Sequence, residues 1–217
     1  MPPDSDDPVD GYRVSMTYTA ARYIAFEGIE GAGKSTVSAR VADHIRARGD
    51  EVLAVREPGG TDVGERIREI LLGDGEPPTP MAEAVLFAAS RAQLIESKVR
   101  PALAKGTWVV SDRTAYSSLA YQAFGRNLGL DQIRKINDIA IGGLWPGTVV
   151  LLKVDTSHGL QRQAVGDRIG DELVEFHERV ATGFDTLAAQ EPERFLVIDA
   201  SRSIDAVVAD VIAGIEW

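Results

Sequence analysis

Gly28-Ile29-Glu30-Gly31-Ala32-Gly33-Lys34-Ser35 is the stretch that decides how this chain folds. Immediately before it, Tyr23-Ile24-Ala25-Phe26 is an apolar run suited to a buried strand. Immediately after it, Thr36 to Arg48 carries Val37, Val41 and Ile45 at helical spacing. Strand, glycine-rich loop and helix in that order are what a P-loop requires. The glycines let successive backbone N–H groups surround an anionic phosphate, helped by the partial positive charge of the helix start. Lys34 is placed to reach the β- and γ-phosphates of a nucleoside triphosphate, and the Ser35 hydroxyl to take a place on Mg²⁺.

Outward from this loop, strand-like and helix-like segments alternate, as in an α/β fold with a parallel sheet. Glu51 to Val55 reads as a second strand, closed by the breaker-rich Glu57-Pro58-Gly59-Gly60. Thr61 is a candidate cap for a helix running to Leu72. Met81 to Lys105 reads as a long helix or a broken pair, interrupted near Pro101. Thr107 to Ser111 is a third strand ending at Asp112-Arg113, with helical patterns at Ser117 to Phe124 and Asp131 to Ile141. Thr148 to Val154 is an almost unbroken apolar strand, as expected inside a covered parallel sheet. Asp171 to Ala189 predicts a helix, Arg194 to Ile198 a fifth strand, and Ser203 to Ile215 a closing amphipathic helix. In such sheets ligands bind beyond the carboxyl ends of the strands, which puts the P-loop, Arg56 to Thr61 and Asp112-Arg113 at one edge.

With 217 residues, 44% hydrophobic and 26% charged, the chain is long enough for one well-cored domain of ordinary composition. That domain is expected over residues 21–217, and residues 1–20 are expected to be a disordered leader rich in Pro and Asp. A formal net charge of −10 argues against a nucleic-acid-binding surface. No apolar stretch approaches the ~20 residues that span a bilayer. Cysteine is absent, so disulfides and thiolate metal sites are unavailable, which fits a cytoplasmic location.

Four ordered segments carry a more specific signal: YIAFEGIEGAGKST (Tyr23 to Thr36), REPGGT (Arg56 to Thr61), LFAASRAQLIESKVRPALAKG (Leu86 to Gly106) and SDRTAYSSLAYQ (Ser111 to Gln122). Together they resemble bacterial thymidylate kinase, a P-loop nucleoside monophosphate kinase family. The resemblance continues through Gly159 to Ala189 and covers essentially everything after residue 21. It implies a three-layer P-loop NTPase fold, with a five-stranded parallel sheet flanked by helices and a short mobile lid over about 156–170. It also implies transfer of the γ-phosphoryl of ATP to dTMP with Mg²⁺, giving dTDP and ADP, in a homodimer. The acceptor phosphate is already ionised at pH 7, so no dedicated base is needed; the demand is for cations that offset the charge of two polyanions.

Carried over residue by residue, the resemblance puts the ATP phosphates on Gly28 to Ser35, with Thr36. Glu30 matches the family's acidic residue near the acceptor sugar and the metal shell. Asp112 would act with Ser35 on Mg²⁺, partly through water, and Arg113 would clamp the phosphates between donor and acceptor. Phe87 and Arg91, four apart on one helix face, are expected to stack on thymine and to grip the 5′-phosphate. Arg56 and Pro58 are expected to line the acceptor cleft, and Ser117, Ser118, Tyr121 and Gln122 to read the base edge and the missing 2′-hydroxyl. The lid departs from the family pattern: it offers only Arg162 and Arg168, of which Arg168 is the first choice for the catalytic lid arginine. Ser90 stands where the family commonly has Asp. These departures keep two alternatives open, a related P-loop kinase with a different acceptor and a catalytically silent nucleotide-binding protein.

Overall fold

The computed structural model describes residues 20–157, 159, 169–170 and 172–217. Five strands, β1 (Tyr23–Glu27), β2 (Val52–Arg56), β3 (Trp108–Asp112), β4 (Thr148–Lys153) and β5 (Phe195–Asp199), form one parallel sheet in the order β2-β3-β1-β4-β5. All five residues of β1 are buried, as a central strand covered on both faces demands. Alternate side chains of β1 feed two different cores. Ile24 and Phe26 pack with Val37, Val41 and Ile45 of α1 (Lys34–Ala47) and with Val207 and Val211 of α8 (Ile204–Gly214). Ala25 faces the other layer, with Tyr116, Leu119, Ile133, Val180 and Phe184.

Register places the chemistry. Phe26 lies beside Asp112, and Asp112 beside Arg56, so β1, β3 and β2 end level with one another. The P-loop, the REPGGT turn and Asp112-Arg113 therefore leave the sheet along one rim, as expected for a parallel sheet.

The connecting helices are α2 (Asp62–Leu72), α3 (Pro80–Leu94), α4 (Arg100–Ala104), α5 (Ala115–Ser118), α6 (Leu130–Ile141) and α7 (Val174–Gln190). Thr61 and Ser203 cap α2 and α8 through their side chains, accepting from the backbone of Gly64 and Ala206. The break expected near Pro101 takes another form. The helix widens over Ile95–Val99, where Arg100 N–H reaches the Ile95 carbonyl, and Pro101 falls in the first turn of α4. A wide turn there accommodates a residue that has no N–H to give and whose ring crowds the preceding carbonyls. The helix expected over Ser117 to Phe124 also differs. It starts on a Thr114 cap as α5 and widens over Leu119–Gly125, a π-helical stretch of seven residues. The helix expected from Asp171 starts at Val174. Arg162 and Arg168, like residues 1–19 of the expected leader, lie outside the described residues. Among the described residues no helix is long and apolar enough to cross a membrane.

Candidate active site

The phosphate loop is shaped by two glycines. Gly28, at φ 140°, would put a Cβ 2.5 Å from the Leu152 carbonyl oxygen, and Gly31, at φ 71°, would put one 1.8 Å from that of Gly159. No other residue fits at either position. Lys34 begins α1 directly after this loop, and its Nζ donates to the Ile29 carbonyl at 2.7 Å. Burial, reinforced by the nearby Arg113 charge, pulls the Lys34 ammonium down to about 8, against the opposing pull of Glu30, Asp112 and Glu27. Ser35 Oγ donates to Asp112 Oδ2 at 2.5 Å, joining the start of α1 to the end of β3.

Arg113 leaves β3 with φ 72°, a left-handed conformation rare for a residue with a side chain. Its amide donates to the Phe26 carbonyl at 3.0 Å, and its own carbonyl accepts from Ser111 Oγ at 2.6 Å, which fixes this turn from both sides. The side chain then meets Glu30 at 2.8 Å and Ser117 Oγ at 3.2 Å, with the guanidinium 5.0 Å from the centre of the Tyr121 ring. Tyr121 OH donates to both oxygens of Glu30, at 2.8 and 2.7 Å, and His177 Nδ1 lies 3.3 Å from Glu30 Oε2. Burial alone would raise the Glu30 carboxyl; Arg113 above all, with His177, Lys34 and Tyr121, holds it well below the usual carboxylate range.

Beside this cluster opens a cleft of about 80 Å³, continuous with solvent. Phe87, Leu72 and Ile169 supply its apolar surface, Ser117, Ser118, Tyr121 and Gln122 its uncharged polar groups, and Glu30, Arg68 and Arg113 its charges. Seven of the ten expected acceptor residues thus come together on one cavity. Three do not. Arg91 is 2% exposed and its guanidinium is fully engaged below the cleft, with Glu57 at 2.5 Å, Asn137 at 2.5 Å, Ser118 Oγ at 3.0 Å and the Thr114 carbonyl at 3.0 Å. It cannot grip a phosphate while holding these partners; it supports Ser118 from beneath instead. Arg56 pairs with Glu65 at 3.0 Å and lines a separate groove with Ser35, Lys98 and Asp112. Pro58, buried behind the cleft, offers its carbonyl to Arg68.

Sequence reasoning missed several participants. Arg68 lines the cleft from α2, but one arginine among three charged residues in Glu65-Arg66-Ile67-Arg68 carries no distinguishing pattern. Glu27, fully buried at the end of β1, accepts from Thr114 N, Thr114 Oγ1, Ser117 N and Ser117 Oγ, and so fixes the turn that aims Ser117. A charged residue closing an apolar strand was the available signal. On the outer side of the P-loop, Gly31, Gly33, Ala200, Arg202 and Ile204 border a second depression, beside the start of α8.

The thymidylate kinase family model matches residues 26–211. The chain belongs to that family. Among related sequences, the thymidylate kinase of Deinococcus radiodurans is 47% identical over 196 residues, covering 89% of this chain and 95% of its own. That of Synechococcus sp. (strain JA-3-3Ab) is 46% identical over 189 residues, covering 87% and 92%. The crystal structure of thymidylate kinase from Ehrlichia chaffeensis superposes with a TM-score of 0.74 at 29% identity, covering 88% of this chain and 96% of that one. In this family member the donor set at the P-loop suits Mg²⁺: one hydroxyl and one carboxylate beside the phosphate cradle, with no described cluster of three or more His, Cys, Asp or Glu. Mg²⁺ keeps several waters and commonly shares one or two protein oxygens with substrate phosphates.

Proposed function

We propose that this member of the thymidylate kinase family transfers the γ-phosphoryl group of ATP to the 5′-phosphate of dTMP, with Arg113 at the junction of the two substrates. The observation that carries this assignment is the position of Arg113, whose guanidinium touches Glu30 of the P-loop and Ser117 of the cleft at once. A cation at that junction faces the phosphate of either nucleotide, and a guanidinium can serve both with its fork of N–H groups.

Gly28 to Thr36 would hold the triphosphate, with Lys34 exchanging the Ile29 carbonyl for phosphate oxygen. Ser35 and Asp112 would hold Mg²⁺, which when bound offsets phosphate charge. Phe87 would lie against the base, while Ser117, Ser118, Tyr121 and Gln122 would present hydrogen-bonding groups to the nucleoside. Arg68 and Arg113 are the cleft's cations and would neutralise the acceptor phosphate, the role expected earlier of Arg91. Glu30, kept ionised by its partners, fixes Arg113 and Tyr121 relative to each other. Protein groups thus perform positioning and charge neutralisation, the two tasks phosphoryl transfer requires.

A homodimer and a cytoplasmic location belong to the same proposal. Val85 of α3 and Ile139 of α6, helices that pack on one another, are 49% and 84% exposed, a pair of apolar side chains that a second copy would cover. The deciding experiment is a coupled assay of ADP release across a panel of acceptors. ADP formation that depends on dTMP and exceeds that with dCMP, AMP or thymidine is the expected result. Equal turnover with these acceptors would refute the assignment of dTMP.

A further inference from the structure

We propose that Glu83 and Arg126 set the polarity of the Gln122 amide, and thereby make the cleft select a pyrimidine that presents an N3–H donor. The inference rests on the reading of Gln122 as a base-edge contact and adds the residues that decide which of its two faces the base meets.

Gln122 sits on the π-helical stretch, is 1% exposed and lines the acceptor cleft. Its Nε2 donates to Glu83 Oε1 at 3.0 Å. Glu83 lies in the first turn of α3 and is itself 1% exposed. Its carboxylate is held on both oxygens by Arg126, Nε to Oε1 at 3.2 Å and Nη2 to Oε2 at 3.0 Å. Arg126 is fixed in turn, with Nη1 2.5 Å from Glu172 and its guanidinium 4.7 Å from the centre of the Phe176 ring. A carboxylate paired in this way accepts hydrogen bonds and donates none. Turning the Gln122 amide over would therefore press its carbonyl oxygen against a carboxylate oxygen in a buried site, an arrangement with no hydrogen to share.

The amide is thus locked with its NH₂ inward, and among the described residues no protein group donates to its Oε1. Oε1 is the atom left for a ligand. An acceptor at that position pairs with the N3–H of thymine or uracil and repels the N3 lone pair of cytosine. Glu83 and Arg126 touch no substrate in this account; they are positioning residues acting through Gln122. A Gln at position 83 could offer either an NH₂ or a carbonyl, and the lock would be lifted.

The test is Glu83→Gln, assayed with dTMP, dUMP and dCMP alone and in a Gln122→Ala background. The ratio of kcat/KM for dTMP over dCMP is expected to fall about 10- to 100-fold in the single variant. The dTMP over dUMP ratio should hold, since both bases carry N3–H, and the KM for ATP should not move. In the Gln122→Ala background Glu83→Gln should change neither ratio. If Glu83→Gln lowers the dTMP over dCMP ratio equally in that background, the role is structural and the proposal falls. If Gln122→Ala lowers the ratio but Glu83→Gln does not, the base-edge reading stands and the polarity lock is wrong. If Gln122→Ala leaves the ratio unchanged, both are wrong. Should Glu83→Gln fail to fold, Glu83→Ala removes the acceptor that holds the Gln122 NH₂ inward. A smaller fall in the ratio is then expected, and an unchanged ratio overturns the proposal.

Discussion

Glu30–Arg113 and Glu57–Arg91 are the same ion pair in two settings. Both join a residue at the rim to one on a neighbouring element, at 2.8 and 2.5 Å. Arg113 keeps 20% of its side chain exposed, on the cleft, and its partner Glu30 is held ionised by several groups. Arg91 is sealed at 2%, and burial pushes the Glu57 carboxyl up to about 7 even as Arg91 pulls the other way. One pair borders the cleft and the other is closed over by protein groups. The lesson is that a guanidinium's spare N–H groups, more than its charge, decide whether it can act on substrate.

The largest expected contrast is in turnover. Arg113→Ala should lower kcat by about 10³-fold or more, the usual worth of an arginine at a transferring phosphoryl group. Its loss of stability should be smaller than at Arg91, because Glu30 keeps Tyr121 and His177; a coupled assay beside thermal melts would show both. Arg91→Met should do the reverse, costing roughly 3–5 kcal/mol in urea denaturation by leaving Glu57 buried without its cation. Adding Glu57→Gln should recover most of that loss. A cost for Arg91→Met below about 1 kcal/mol would put this pair with solvent-exposed bridges and erase the contrast.

A third expected effect separates the donor side from both pairs. The Lys34 ammonium titrates at about 8 in the folded chain, so kcat/KM for ATP should decline as pH rises above about 8. The stability contribution of the same group has the opposite sign. Between about 8 and the ordinary lysine value of 10.5 the unfolded chain binds more protons at this residue, so its contribution to stability rises with pH. A pH profile for ATP that stays flat to pH 10 would remove Lys34 from this role. The smallest expected effect is at Ser90, whose Oγ accepts from Gly59 N–H at 3.1 Å in the turn that carries Glu57. Ser90→Ala should cost about 1 kcal/mol in stability and leave kcat/KM for ATP and dTMP unchanged.

Much of this architecture was legible beforehand for local reasons. The P-loop glycines, the Thr61 cap and the five apolar runs each state their conformation within a few residues. What failed to show was set by distance along the chain. The family resemblance, not the i, i+4 spacing from Phe87, is what implies a substrate role for Arg91; the two do share a helix, but which of them reaches the cleft depends on Glu57 and Asn137, 34 and 46 residues away. Arg56, expected to line the acceptor cleft, borders a separate groove with Ser35 and Asp112, because strand order decides which groove it meets and no local pattern encodes that. The pairing of Gln122 with Glu83 spans 39 residues and was equally invisible.

The π-helical stretch at Leu119–Gly125 has an evolutionary and practical corollary. Removing one residue from it would yield a more regular helix, with tighter hydrogen bonds and better intrinsic propensity. The same deletion would rotate everything downstream by about 100° on the helix, parting Arg126 from Gln122 as neighbours of Glu83. Programmes that optimise this protein by smoothing its backbone would therefore exchange the Gln122–Glu83–Arg126 contacts for a more regular helix at this one spot.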